Sequence, residues 1–198
     1  MENTRCANII RKTKETDIDL TIDLDGSGRT DIHTGIGFFD HMLSLFGAHG
    51  RFDLVIECKG DTEVDGHHSV EDIGIALGQA VAKALGDKRG INRYGTFFLP
   101  MDETLVMVSL DISNRPYLVY DGGSMAPMIG RYDTELTEEF LRAFAFNAGI
   151  TLHARVIYGT NSHHKVEALF KALARALHQA VSINPETIGE IPSTKGML

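Results

Sequence analysis

Ile18, Leu20, Ile22 and Leu24 fall at every second position, with polar residues between them. That alternation marks a half-buried strand. "DGSG" (Asp25 to Gly28) then reads as a hairpin turn into a second strand near Arg29 to His33. The period changes at Phe38, Phe39, Met42, Leu43, Leu45 and Phe46, a helical stripe that ends near Gly47 to Gly50. "RFDLVIEC" returns to strand. From His67, the spacing of Val70, Ile73, Ala76, Leu77 and Val81 predicts a helix to about Leu85, stopped by Gly86.

The second half follows the same order. "TLVMVSLDIS" and "PYLVYD" read as strands, Leu136 to Ala145 as a helix, and "ITLHARVIYG" as a strand. "HHKVEALFKALARALHQAV" reads as a long helix whose apolar face holds Val166, Leu169, Phe170, Leu173 and Leu177. Each half is therefore β-β-α-β-α. "DHMLSLFGAHGRFDL" (Asp40 to Leu54) aligns without gaps over "EEFLRAFAFNAGITL" (Glu138 to Leu152). A slightly shorter following loop then sets His67-His68 over His163-His164 and Glu71 over Glu167. The expectation is a duplication: one α+β domain spanning 1–198, with repeats of about 1–90 and 91–182, sheets packed against helices, and a tail at 183–198.

The chain has 198 residues, enough to bury a sizeable core, and its 43% hydrophobic and 23% charged residues are ordinary for a globular protein. No run of eighteen apolar residues is present, and the first residues carry no apolar signal core. Two cysteines, Cys6 and Cys58, form no paired motif. A cytoplasmic protein without membrane contact is expected. The net charge of −8 argues against general nucleic-acid binding. It leaves room for a small anion in a local basic pocket.

The chemistry sits in the repeated HH-x-x-E, found in "DGHHSVEDIG" and "NSHHKVEALF". On a helix, positions i and i+4 share a face while i+1 points elsewhere. His67 with Glu71 can hold one ion, and so can His163 with Glu167. His68 and His164 are turned toward a second. Imidazole with carboxylate suits first-row transition ions. The gapless alignment sets His41 opposite Glu139. Two mixed sites follow: His41, His68, His163 and Glu167 in one, and His67, Glu71, Glu139 and His164 in the other. Of the lone histidines, His178 reads as a solvated helix residue and His153 as a core histidine or reserve ligand.

The motifs "RKTKETDI", "GIGFFDHML", "DGHHSVEDIGIALGQA", "SNRPYL", "YDTELTEEF", "NSHHKVEALFKALARAL" and "IPSTKGML" resemble the imidazoleglycerol-phosphate dehydratase family over essentially the whole chain. The resemblance implies a duplicated fold like the second domain of ribosomal protein S5. It implies two Mn(2+) ions per active site and a cage-like homo-oligomer, a 24-mer of cubic symmetry with active sites at subunit interfaces. It implies a lyase of histidine biosynthesis that dehydrates a small imidazole phosphate to imidazoleacetol phosphate, through a metal-bound imidazolate and a diazafulvene-like intermediate. Metal ligands carry over at His41, His67, His68, Glu71, His163, His164 and Glu167. Of these, His41, His67, Glu71 and Glu167 serve catalysis by holding the ions. Several members carry histidine where this chain has Glu139. Glu139, its neighbour Glu138 or some other group would fill that place, and the internal repeat favours Glu139. Arg93, Arg115, Ser193 and Lys195 match phosphate contacts, and Glu15 matches the family's acid-base group at the substrate. His49 and Asp102 or Glu103 are further candidates for touching substrate. The same ligands would serve a dinuclear hydrolase, or a metal-glued assembly with no catalysis.

Overall fold

The computed structural model describes residues 5–198. The order β-β-α-β-α is present in both halves, and one further strand precedes each. The first half runs β1 (Cys6–Lys12), β2 (Thr16–Asp23), β3 (Thr30–His33), α1 (Gly37–Gly50), β4 (Asp53–Gly60) and α2 (His67–Leu85). The second runs β5 (Tyr94–Met101), β6 (Thr104–Asp111) and β7 (Tyr117–Asp121). After the short pair β8 (Met128–Ile129) and β9 (Tyr132–Asp133) come α3 (Leu136–Ala148), β10 (Thr151–Tyr158) and α4 (Ser162–Val181). A single 3-10 turn, Pro185–Thr187, begins the tail.

The two four-stranded sheets have the orders β1-β2-β4-β3 and β5-β6-β10-β7, position for position the same. Their registers correspond as well. Cys6 opposite Asp23 matches Tyr94 opposite Asp111, and Lys12 opposite Asp17 matches Pro100 opposite Leu105. Asp23 opposite Asp53 matches Asp111 opposite Thr151, and Thr30 beside Leu54 matches Leu118 beside Leu152. Pairing registers are independent of the side-chain resemblance that suggested the repeat, so the duplication now stands on backbone geometry as well.

One expectation is corrected. "DGSG" does not close a hairpin. β3 passes β2 and joins the far edge of β4, parallel to it. The true hairpin is β1-β2, and Glu15 sits in its turn rather than within a strand.

Each sheet buries one face. In β2, Ile18, Leu20 and Ile22 point inward, and in β6, Val106, Val108 and Leu110 do the same. α2 covers β1 and β2, α4 covers β5 and β6, and the helices meet across the repeats as α2 on α3 and α1 on α4. One continuous apolar cluster joins both halves, centred on Phe39, Phe140, Phe144 and Phe170. β5 lies tight under α4: a Cβ on Gly95 would stand 1.9 Å from the Ala176 carbonyl oxygen. His178 is not simply solvated. Its ring packs on Phe52, with Nδ1 buried and unpartnered. His153 is not in the core but on the exposed face of β10. Among the described residues, no helix is long and apolar enough to cross a membrane.

Candidate metal centre

Both histidine doublets begin a helix, and in each a side-chain oxygen two residues earlier accepts from the first histidine's amide. In α4 it belongs to the N-cap Asn161, and in α2 to Asp65, just before the N-cap Gly66. The Asp65 carboxylate accepts from the His67 amide at 2.8 Å, and the Asn161 side chain accepts from the amides of His163 and His164 at 2.9 and 3.3 Å. Capping the first turn this way satisfies donors that the helix cannot pair itself. It also fixes where the imidazoles leave the backbone. Consecutive rings then diverge, with planes 84° apart at His67-His68 and 86° apart at His163-His164.

α1 brings His41 to the start of α4. Nε2 of His163 lies 2.9 Å from Oε2 of Glu167, and Nε2 of His41 lies 3.4 Å from the same oxygen. These three donor atoms all fall within 4.8 Å of one another. Glu167 is only 8% exposed, while both imidazoles are open to solvent. Phe38 meets the His163 ring edge-on at 5.1 Å. Burial raises the Glu167 pKa, but hydrogen bonds from Lys171 and His163 outweigh it and hold the carboxyl ionised. Two imidazoles and a carboxylate around one point are a donor set for a first-row divalent ion. The residues fit such an ion with no change of fold.

The corresponding place in the other half is less gathered. His67 Nε2 stands 3.9 Å from Glu71, and Glu139 turns toward Arg142 at 3.7 Å. His67 and Glu139 line one cleft of about 640 Å³ together with Gly66 and Arg131. Among the described residues no second group of three donors forms there.

His68 and His164 stand outside the three-donor group. Nδ1 of His68 lies 3.1 Å from both oxygens of Asp61. Nδ1 of His164 lies 2.7 Å from Oε2 of Glu103. Those partners raise both histidine pKa values. Backbone amides of Asn161 and Thr160, with His164, hold the Glu103 carboxyl far below the usual carboxylate range. The Glu103 carboxylate is therefore engaged by the chain itself, and of the Asp102-Glu103 pair Asp102 is the more exposed. Glu15 is half exposed, with Oε1 3.9 Å from Nε2 of His68.

The phosphate candidates form a separate group around Asp111. Arg93 makes a two-pronged bond to it, at 2.7 and 3.1 Å, and donates to the Pro192 carbonyl at 2.9 Å. Arg93 adopts a left-handed φ of 72°, rare for a side-chain-bearing residue. Arg115 reaches the same carboxylate at only 3.7 Å and is 68% exposed. Arg115 is thus the readier cation, and an anion would compete with Asp111 for Arg93. The tail folds beside them. The Ser193 hydroxyl accepts from the Lys195 amide. His49 lies elsewhere, in the last turn of α1. Burial, with Lys171 and Arg175 nearby, lowers its pKa. Sequence reasoning passed over Lys171, whose Nζ lies 2.5 Å from Glu167. The signal was present, since Lys171 stands one helical turn beyond that glutamate.

The imidazoleglycerol-phosphate dehydratase family model matches residues 34–177. An imidazoleglycerol-phosphate dehydratase of Clostridium botulinum is 61% identical over 192 residues, covering 97% of each chain. One of Azorhizobium caulinodans is 59% identical over 194 residues, covering 98% of each. The crystal structure of the Staphylococcus aureus enzyme superposes with a TM-score of 0.83 at 42% identity, covering 90% of this chain and 99% of that one. The Pyrococcus furiosus structure, solved in complex with (S)-C348, gives 0.82 at 36% identity, covering 96% and 100%.

Proposed function

Since this chain belongs to the imidazoleglycerol-phosphate dehydratase family, we propose that it dehydrates imidazoleglycerol phosphate to imidazoleacetol phosphate in histidine biosynthesis, as a two-metal hydro-lyase. The observation that carries the metal part is the convergence of His41, His163 and Glu167.

The proposed cofactor is two Mn(2+) per active site, with other divalent transition ions as substitutes. One ion takes His41, His68, His163 and Glu167, and the other takes His67, Glu71, Glu139 and His164. Within one chain His68 and His164 lie outside the three-donor group, so this assignment has them complete the sites of neighbouring copies. That supports a homo-oligomer, a 24-mer of cubic symmetry, with active sites at its interfaces. The whole chain, 1–198, then acts as one catalytic domain of two repeats, with 183–198 as a substrate-binding tail. The cytoplasmic location belongs to the same reading.

When bound, the ions supply Lewis acidity that favours the imidazolate form of the substrate ring. The chain supplies the rest. Arg93, Arg115, Ser193 and Lys195 grip the phosphate, with guanidinium suited to paired contacts. His49 contacts substrate from the end of α1. Loss of hydroxide from the carbon beside the ring leaves an acidic C–H on the next carbon. Glu15 takes that proton, and the resulting enol collapses to the ketone as the first carbon is protonated. Glu15 suits this role because it is exposed, adjacent to a metal-ligand histidine and not held by any stronger partner.

The test is direct. The metal-loaded protein is mixed with imidazoleglycerol phosphate, and formation of the ketone is followed. Turnover that requires Mn(2+) supports the reading. Phosphate release without ketone would replace it with a hydrolase.

A further inference from the structure

The two halves orient their second histidine with different carboxylates. Glu15 and Glu103 occupy equivalent turns, each immediately before the first residue of the following strand, Thr16 or Thr104. Both stretches even read "ET". Yet Glu103 binds Nδ1 of its histidine while Glu15 faces Nε2 of the other. In the first half the Nδ1 partner is Asp61, the residue that follows β4. The corresponding position after β10 is Gly159, where the loop into α4 is shorter and has no carboxylate to give.

We propose that Asp61 and Glu103 are positioning residues that select the tautomer of His68 and His164, keeping the proton on Nδ1 and the lone pair on Nε2 aimed at a divalent ion. The inference rests on the reading that these histidines are ligands. A neutral imidazole has one N–H and one lone pair, and an ionised carboxylate can only accept. The nitrogen facing it must carry the proton. Among the described residues the opposite nitrogens make no hydrogen bond: Nε2 of His68 is 3.9 Å from Glu15, and Nε2 of His164 is 3.7 Å from Asp102. A carboxylate behind a ligating imidazole is a recurrent means of fixing its orientation and raising its basicity.

The two carboxylates differ in how far they are constrained. Oε1 of Glu103 accepts from the amides of Thr160 and Asn161 at 3.0 and 2.7 Å and from the Thr104 hydroxyl at 2.9 Å. In Glu103→Gln the amide oxygen must stay among those three donors. Its NH₂ group is then forced toward Nδ1 of His164, which must become an acceptor. That puts the ring proton on Nε2 and abolishes the lone pair. Asp61 has no such constraint. Its two oxygens are equidistant from His68, and no other group among the described residues donates to them. In Asp61→Asn the amide can turn its oxygen to the Nδ1 proton. Charge is lost but the tautomer is kept. The division also accounts for Glu15: with Asp61 behind His68, the glutamate of the first turn is released to the Nε2 side, the side this reading leaves to an ion and substrate.

Mn(2+) affinity of each assembled variant is measured by chelator competition, the melting temperature is taken after metal removal, and side-chain ¹⁵N shifts of labelled histidine report the tautomer. Glu103→Gln is expected to lose ~10–100-fold in affinity, to shift one histidine to the Nε2–H form, and to melt near the parent without metal. Asp61→Asn is expected to stay within a few-fold of the parent, while Asp61→Ala loses affinity. Equal losses in Glu103→Gln and Asp61→Asn would overturn the inference. So would a metal-free melting temperature for Glu103→Gln as low as that of Glu103→Ala, which would make Glu103 a loop anchor alone. His164→Ala separates the two levels. If it loses metal while Glu103→Gln does not, positioning fails and ligation stands. If it binds Mn(2+) like the parent, ligation itself fails.

Discussion

Glu15 and Glu103 stand at the same point of two hairpins with matching registers, yet Glu103 accepts four hydrogen bonds at one oxygen and a fifth at the other, while Glu15 is left half exposed beside His68. A group that must take and return a proton needs that freedom. Glu15→Gln should lower kcat ~10²–10⁴-fold, with Mn(2+) affinity and KM close to the parent. Steady-state kinetics and metal titration on one preparation check this, and an unchanged kcat removes Glu15 from the mechanism.

The three-donor group and its less gathered counterpart give a prediction about metal count. Elemental analysis of the parent should find two ions per chain. Glu167→Ala and Glu139→Ala should each retain about one fewer, because each removes a carboxylate assigned to one proposed ion. Glu139→His should restore the count, since imidazole suits the same ions. Chelation should abolish turnover and Mn(2+) should restore it. A Glu139→Ala protein that still holds two ions would take Glu139 out of the ligand set.

How much of this was legible in the sequence differs by feature. The helices were, because Val70, Ile73, Ala76 and Leu77 in α2 keep a clean period of apolar positions. Strands β2, β4, β6 and β10 were legible as alternation. The leading strands β1 and β5 were not. As sheet edges they fully bury only a small residue, Ala7 or Gly95, while Ile9, Leu99 and Met101 are half-buried against the core, so no run of alternating large apolar residues marks them. The pairing of β3 with β4 was illegible in principle, since a turn signal says that the chain bends but not which strand it joins next. The proposed ligand pairs His67 with Glu71 and His163 with Glu167 could be picked out because HH-x-x-E keeps each pair within one helical turn. Asp61 with His68 was harder, and Glu103 with His164 lies too far apart in the chain for any local pattern to reveal.

α2 and α3 cross closely because Gly74 and Gly78 leave room. A Cβ on Gly78 would lie 2.6 Å from the Phe144 carbonyl oxygen, and one on Gly74 would lie 2.9 Å from that of Phe140. Helix propensity alone favours alanine over glycine by about 1 kcal/mol. Here the clash is with backbone and must win. Gly78→Ala should destabilise by about 1–3 kcal/mol, the usual range for overpacking. Equilibrium denaturation checks it, and a stabilised variant would mean that the helices can part without cost.

His178 gives a pH prediction. Burial holds its pKa below the ordinary histidine value. The Gly50 carbonyl opposes that shift, and Arg51, Arg175 and Arg5 add to it. The unfolded chain therefore takes a proton first as pH falls below about 6.5. Stability associated with His178 is present above that pH and is lost as pH falls toward the folded value. The slope is at most about 1.4 kcal/mol per pH unit. In metal-free protein, the difference in unfolding free energy between parent and His178→Gln should change across pH 7.5 to 5.5 in the direction of a failing parent. A constant difference would show that His178 titrates alike in both states.

The seam between the repeats has a consequence for how the polypeptide can be divided. α2 finds its helix partner in α3 and α1 finds its partner in α4, so the helix faces turned away from each half's own sheet are buried only against the other half. The connection is a short turn, exposed at Asp87 and buried at Lys88, between β-α units that are already held by that packing. A chain opened there should behave as a complementation pair. Neither piece should hold structure alone, because each would expose the apolar faces around Phe39 or Phe140. Mixed during refolding, the two should recover the native assembly, since the covalent link supplies proximity and little of the specificity.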